Sequence, residues 1–324
     1  MPLKPWPYNH IQKPSPADWG IGMTVCIAAH CATDKCIVLA SDMMISTVDM
    51  SADLAAMKMY PIGRHWVAQF AGDDTSQITA LLNDLRDDMG HESETLAFVS
   101  NTFTAAYAVR LRRKIETGIL GPIGYTFEEF KEHGLAQLGQ EAFSRVFYDI
   151  QQQRLELEIL VSGFHGDQPH IFAIRTPGKV TYYSQLGFWA IGSGETHALG
   201  SFFNARNPLS ALDRSSTLYR VCEAKFNAEN AVGVGSATSV MIVYPDGSRL
   251  NPSFDEIEAL KREWQRTRVM TVPDVAKALS ISILKRADEE KLVPPPLTFK
   301  ANTKRKKARK RIKPSASRKS TPKQ

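Results

Sequence analysis

Residues 22–42 read GMTVCIAAHCATDKCIVLASD. Two apolar runs, Val25 to Ala29 and Ile37 to Ala40, flank the polar stretch HCATDK, the pattern of two strands joined by a turn longer than the two-residue hairpin type. The Met23-Thr24 pair opens the first strand as a chain start would, although 22 residues precede it. That placement matters chemically. A threonine hydroxyl is a poor nucleophile near neutral pH, but a threonine with a free α-amine carries its own base, which titrates at about 7.7. Whether Thr24 is an internal strand residue or a first residue decides how the rest of the chain is read.

Outward from this hairpin, HWVAQFAG (65–72) reads as a further strand. Asp73, Asp74 or Thr75 can then cap a helix, since each side-chain oxygen can accept a free first-turn N–H. Ile78, Leu81, Leu82, Leu85 and Met89 recur at helical spacing, and Leu96, Val99, Phe103 and Tyr107 propose a second helix running through VRLRRKIE. The glycines and proline of 118–135 predict a break, followed by an amphipathic segment to Gln153. Strands return with RLELEILVSGF, where Leu155, Leu157 and Ile159 share a face. Two more lie in 169–194, joined by the TPGK turn. Helices are predicted near 195–206 and 213–228, then a strand in SATSVMIVYPDGS, a helix capped by Ser253 and a last helix in 271–290, ending before VPPP (293–296). This order has neither βαβ alternation nor repeats. It suits two packed sheets covered by helices.

Composition narrows the classes. Apolar residues make up 43% and charged residues 23% of 324, which fits a soluble globular protein rather than a disordered or membrane chain. No run approaches the roughly 18 apolar residues of a membrane span. The Pro-rich first 20 residues have no apolar core of a signal peptide. Four cysteines without a CxxC pair predict neither a disulfide framework nor a metal site, and a reduced, cytoplasmic protein is expected. Cys26, Cys31 and Cys36 read as small buried hydrophobes. His30 and Cys31, adjacent on a strand, point to opposite faces and form no dyad. GVGSATS (233–239) lacks the Lys-Ser/Thr of a phosphate loop. The formal charge of +6 is misleading: 11 of the 40 basic residues lie in 304–324, leaving 29 against 34 acidic residues, a net −5 for the remainder. The tail reads as a disordered polycation able to touch polyanions non-specifically, without interleaved aromatics for base stacking.

The ordered motifs resemble the N-terminal-nucleophile hydrolases of the proteasome β-subunit type, and most of all the bacterial ancestral β-subunit group, Anbu. Mature chains of that family begin with Thr after a removed Met, matched by Thr24 in MTVCIAA. Their hairpin ends in Ala-Ser-Asp or similar, matched by Ala40-Ser41-Asp42. Sixteen residues on comes the site lysine, matched by Lys58, and fourteen further the Gly of Phe-Ala-Gly, matched by Gly72. A later Gly-Ser-Gly is matched by Gly192-Ser193-Gly194. The likeness covers about residues 23–245. Departures are a first hairpin about two residues longer, and a stretch KFNAENAVGVGSATS without the family's further Asp, for which Glu229, Asn230 and Ser236 remain open substitutes.

The resemblance implies an α+β fold, the four-layer αββα sandwich, over 23–292, between a disordered leader or mis-assigned start (1–22) and a basic disordered tail (293–324). It implies a threonine peptidase or amide hydrolase without cofactor or metal. Thr24 would be the nucleophile, freed by processing or by a start at Met23, with Cys26 a weaker rival. Lys58 would favour the alkoxide and Asp42 would hold that lysine. Gly72 would offer a backbone N–H to the oxyanion, and Ser193 would orient the α-amine. Ser193 is equally placed to cap the helix that follows. Expected partners are a peptide or unfolded protein as substrate and further copies of the chain in a ring or helical stack, with no membrane. Two other readings stand beside this one: a catalytically silent subunit of the same fold, and a nucleic-acid-associated protein acting through its tail.

Overall fold

The hairpin predicted at 22–42 forms the centre of a sheet. In the computed structural model, which describes residues 24–31, 33–46, 51–53, 58–72, 75–89, 94–204, 212–267 and 274–289, β1 (Cys26–Cys31) and β2 (Cys36–Asp42) pair antiparallel, Cys26 opposite Ser41 and Cys31 opposite Cys36. Both strands are buried on both faces. Ile27, Ala29, Val38 and Ala40 pack towards helices, whereas Cys26, Ala28, Ile37 and Leu39 pack towards a second sheet. This two-sided burial is why the sequence shows continuous apolar runs instead of alternation.

Next in the chain come the short pair β3 (Met44–Ser46) and β4 (Ser51–Asp53), then β5 (Met59–Ile62) and β6 (Trp66–Gly72). Helices α1 (Thr75–Met89) and α2 (Leu96–Ile115) follow. The apolar stripes read from the sequence are the faces these two helices bury. Beyond α3 (Phe127–Gln152) the chain builds β7 (Leu157–His165), β8 (Gln168–Arg175), β9 (Lys179–Tyr182) and β10 (Phe188–Ile191). It continues through α4 (Glu195–Phe203), α5 (Arg214–Ala228), β11 (Thr238–Val243), β12 (Arg249–Leu250), α6 (Phe254–Thr267) and α7 (Asp274–Glu289).

The fold is α+β with two five-stranded antiparallel sheets, ordered β10-β1-β2-β11-β12 and β5-β6-β7-β8-β9. One core cluster joins the first sheet to residues of α4 to α7, a second joins the other sheet to α1 and α2, and a third contains residues of both sheets. Pro61 is tolerated in β5 because that strand lies at a sheet edge, where a missing N–H breaks no ladder. Among the described residues no helix is long and apolar enough to cross a membrane.

Several local expectations are corrected. The break expected over 118–135 is much shorter. A π-helical turn (116–120) and a 3-10 turn (121–123) lead to Gly124, whose left-handed φ of 81° ends the run, and α3 begins at once. Thr126 and Glu129 form a reciprocal capping box there, a T-x-x-E signal that outweighs the neighbouring glycines. Gly139 kinks α3 with a φ of 75°. The region 169–194 holds three strands, and the last of them crosses to the first sheet. The leader, Met23, the caps Asp73 and Asp74, and the tail from 293 lie outside the described residues.

Candidate active site

Thr24 sits immediately before β1 and Asp42 ends β2, so the hairpin itself brings them together. Lys58 enters from just before β5 in the other sheet, and Ser193 from the turn between β10 and α4. These four predicted residues meet. The Lys58 ammonium reaches both carboxylate oxygens of Asp42 at 2.9 Å and also donates to the Thr24 hydroxyl, which in turn donates to Asp42 Oδ1. Ser193 Oγ accepts from the Thr24 nitrogen (3.2 Å) and donates to the Thr24 carbonyl (3.2 Å), which also takes the Gly194 N–H at 3.2 Å. Thr24 is 3% exposed and Asp42 is fully buried.

A buried carboxylate is tolerable only when its oxygens are satisfied. Here Oδ1 accepts the Val25 N–H (3.0 Å), and Oδ2 accepts those of Met44 (3.2 Å) and Gly235 (3.3 Å), in addition to Lys58. Asp42 therefore ties together the start of β1, the start of β3 and the loop before β11. Side-chain inventories of the sequence do not reveal such backbone donors.

The Gly-Ser-Gly turn is glycine-rich for steric reasons. Gly192 has φ of 89°, and a methyl group there would fall on the Thr24 carbonyl oxygen. Its N–H donates to Glu158 Oε2 at 2.9 Å, and Arg175 pairs with that same carboxylate at 3.1 Å. The residue at the N-cap of α4 is Gly194, without a side-chain cap bond, so the capping role considered for Ser193 is not the one it has. Gly72 ends β6 opposite Leu157, and a Cβ there would lie 2.6 Å from the Glu156 carbonyl oxygen. Close packing on β7 accounts for a glycine at this position.

The open substitutes in 229–236 resolve differently from one another. Glu229 is held by Lys225 Nζ (2.7 Å) and Lys261 Nζ (2.8 Å), Asn230 bonds the Asn227 carbonyl (2.9 Å), and Ser236 gives its carbonyl to both lysines at 3.1 Å. A direct link from this stretch to the site is the Gly235 N–H, which reaches Asp42 Oδ2. Lys225 is the residue that sequence reasoning missed. It occupies the apolar stripe Leu218, Val221, Cys222, Lys225, where a lysine at i+3/i+4 spacing from core residues is a readable signal. Burial pulls its pKa below the usual lysine value, against the pull of the Glu229 carboxylate.

Cys26 lies fully buried with its thiol towards the Phe70 carbonyl (3.5 Å). Burial pushes its pKa upward, so it stays a neutral thiol and a poor rival to Thr24. All four cysteines are free and buried. His30 bonds the Ser184 carbonyl (3.1 Å) while Cys31 bonds that of Leu212 (3.1 Å), on opposite sides of β1. Among the described residues no group of three His, Cys, Asp or Glu side chains is placed to hold a metal ion.

No protein-family model matches the chain, and no curated protein matches it.

Proposed function

We propose that the chain is an N-terminal-nucleophile hydrolase of proteasome β-subunit type, with the sheets and their helices forming its αββα sandwich. The observation that carries this reading is the meeting at one threonine of side chains from three other segments. Lys58 and Asp42 address its hydroxyl, while Ser193 addresses its nitrogen. A merely structural threonine requires neither a lysine at its oxygen nor a hydroxyl at its nitrogen.

With residues 1–23 removed or never made, the Thr24 nitrogen becomes an amine held by Ser193. It accepts the hydroxyl proton directly or through one water, and the Lys58 ammonium stabilises the oxygen as it attacks an amide carbonyl. Asp42 keeps Lys58 aimed at the Thr24 oxygen. Collapse of the tetrahedral adduct releases the amine product and leaves an ester on Thr24, which water cleaves to regenerate the hydroxyl. Gly72 supplies the oxyanion N–H in this scheme. The substrate is an unfolded polypeptide or peptide, and copies of the chain assemble in a ring or helical stack.

The silent-subunit reading is favoured by one observation: Thr24 is almost completely buried. One experiment separates the two. The full frame and a frame starting at Met23 are expressed, each with Thr24 and with Thr24→Ala, and intact masses and fluorogenic peptide hydrolysis are measured. The hydrolase reading expects chains beginning at Thr24 and hydrolysis that Thr24→Ala and Lys58→Ala abolish. Protein from its native source that retains residues 1–23 at full occupancy would instead establish the silent subunit.

A further inference from the structure

A lysine is almost never fully buried without a specific partner, and Lys225 is fully buried with all three of its donors used. Its Nζ bonds Glu229 Oε1 (2.7 Å), the Gly235 carbonyl (2.8 Å) and the Ser236 carbonyl (3.1 Å). From α6, Lys261 Nζ bonds the other oxygen of Glu229 (2.8 Å) and the same Ser236 carbonyl (3.1 Å). Glu229 thus bridges two ammonium groups, and both ammonium groups grip one loop.

The other side of that loop faces the candidate active site. The Gly235 N–H donates to Asp42 Oδ2 (3.3 Å), and the Ala237 carbonyl accepts the Met43 N–H (3.2 Å). The loop lies in a run of glycine and short side chains, GVGSATS, with Gly233 at a φ of 83°. Such a segment has little side-chain bulk with which to fix its own conformation. Val234 packs into the core at its start, and the residues beyond are held through their carbonyls.

We infer that Lys225, supported by Lys261 through Glu229, is a positioning residue: it fixes the 235–237 loop so that the Gly235 amide orients the Asp42 carboxylate shared by Lys58 and Thr24. The catalytic consequence rests on the hydrolase reading above, whereas the positioning itself does not. The ordinary alternative is a lysine in the last turn of α5 that only complements the helix dipole. In that case the loop would keep its place without the ammonium.

The test uses the full chain and the Thr24-starting chain, each with Lys225→Met, Lys261→Met and Glu229→Gln. Hydrogen exchange of the peptide covering 233–238 is followed by mass spectrometry, beside steady-state hydrolysis. Lys225→Met is expected to speed exchange in this peptide about tenfold or more, as the loss of a charge-assisted hydrogen bond implies, with exchange in α1 and α2 unchanged. It is expected to lower kcat by up to about 100-fold, the scale of a misplaced catalytic group, with KM little altered. Lys261→Met and Glu229→Gln should move both readouts in the same direction by less. If Lys225→Met does not fold, Lys261→Met decides. Unchanged exchange in the folded variants overturns the inference. Faster exchange with an unchanged kcat also overturns it, leaving a purely structural lysine. A parent without hydrolysis overturns the hydrolase reading instead, and the exchange result alone then decides the positioning.

Discussion

Replacing Asp42 by Asn keeps the shape of the side chain and removes its charge, and the surroundings leave the amide no satisfactory orientation. If the NH2 takes the place of Oδ1, it meets the Val25 N–H and the Lys58 ammonium. If it takes the place of Oδ2, it meets the Met44 and Gly235 N–H groups and Lys58 again. Donors face donors either way. Breaking a buried ion pair from one side costs about 3–5 kcal/mol, and we expect Asp42→Asn to fall there, with Tm lowered by on the order of 10 °C for a body of this size. Lys58→Met belongs in the same range, because it strips the ammonium from a fully buried carboxylate. The double variant should fall short of the sum of the singles by about 1.5–3 kcal/mol, since the second substitution has no partner left to strand. Urea unfolding of the four chains, with m unchanged as the check on a common unfolding reaction, measures this coupling. Additivity within about 0.5 kcal/mol would show that Lys58 and Asp42 do not act on one another and would remove the physical basis of the site.

Two further outcomes test features around that centre. Asp213 caps α5 through the Ser216 N–H (2.7 Å). Burial alone would raise its pKa, but the Ser216 and Ser215 bonds and nearby Lys277 outweigh this and hold it down to about 2. Asp213→Ala should cost about 1 kcal/mol at neutral pH. A depressed carboxylate stabilises above its unfolded pKa of 3.8 and loses that contribution as pH falls through the folded value. The urea midpoints of parent and variant should therefore converge near pH 2, and a constant gap down to that pH would contradict the assignment. Gly192→Ala should destabilise by at least about 1–2 kcal/mol, from its left-handed backbone alone. The new methyl group also falls on the Thr24 carbonyl, so a variant as stable as the parent in thermal unfolding would show that the turn is not held against Thr24.

The sequence makes the central hairpin and the first two helices legible because burial there leaves a direct mark. Two-sided burial writes continuous apolar runs at 25–29 and 37–40, and one-sided burial writes the 3–4 spacing of Ile78 to Met89. The four polar residues of the site are legible only through their order and intervals, since Ser193 lies 169 residues from the Thr24 it bonds. What stays hidden depends on backbone donors or on a reversal of the usual polarity rule. The Gly235 N–H belongs to no side-chain motif, and Lys225 is readable only as a lysine out of place on the core stripe of α5, where pattern reading assigns charges to solvent. The start of α3 is missed because glycine content is weighed above the short capping box at Thr126.

The order of the first sheet has a consequence for when the site can exist. Strands β1 and β2 come from the first 42 residues, but the strands beside them, β10 and β11, begin only at Phe188 and Thr238. The Asp42 contact with Gly235 spans 193 residues, and Lys261, which holds the neighbouring Ser236 carbonyl from α6, lies further on still. Contacts this distant close late, after the entropy of a long loop has been overcome. During synthesis a chain that ends before Gly235 cannot assemble the full set of groups around Thr24 and Asp42. The geometry of the centre thus reports that the chain has folded at least as far as Gly235. Any chemistry that needs this geometry is withheld from nascent and truncated chains, with no separate inhibitor required.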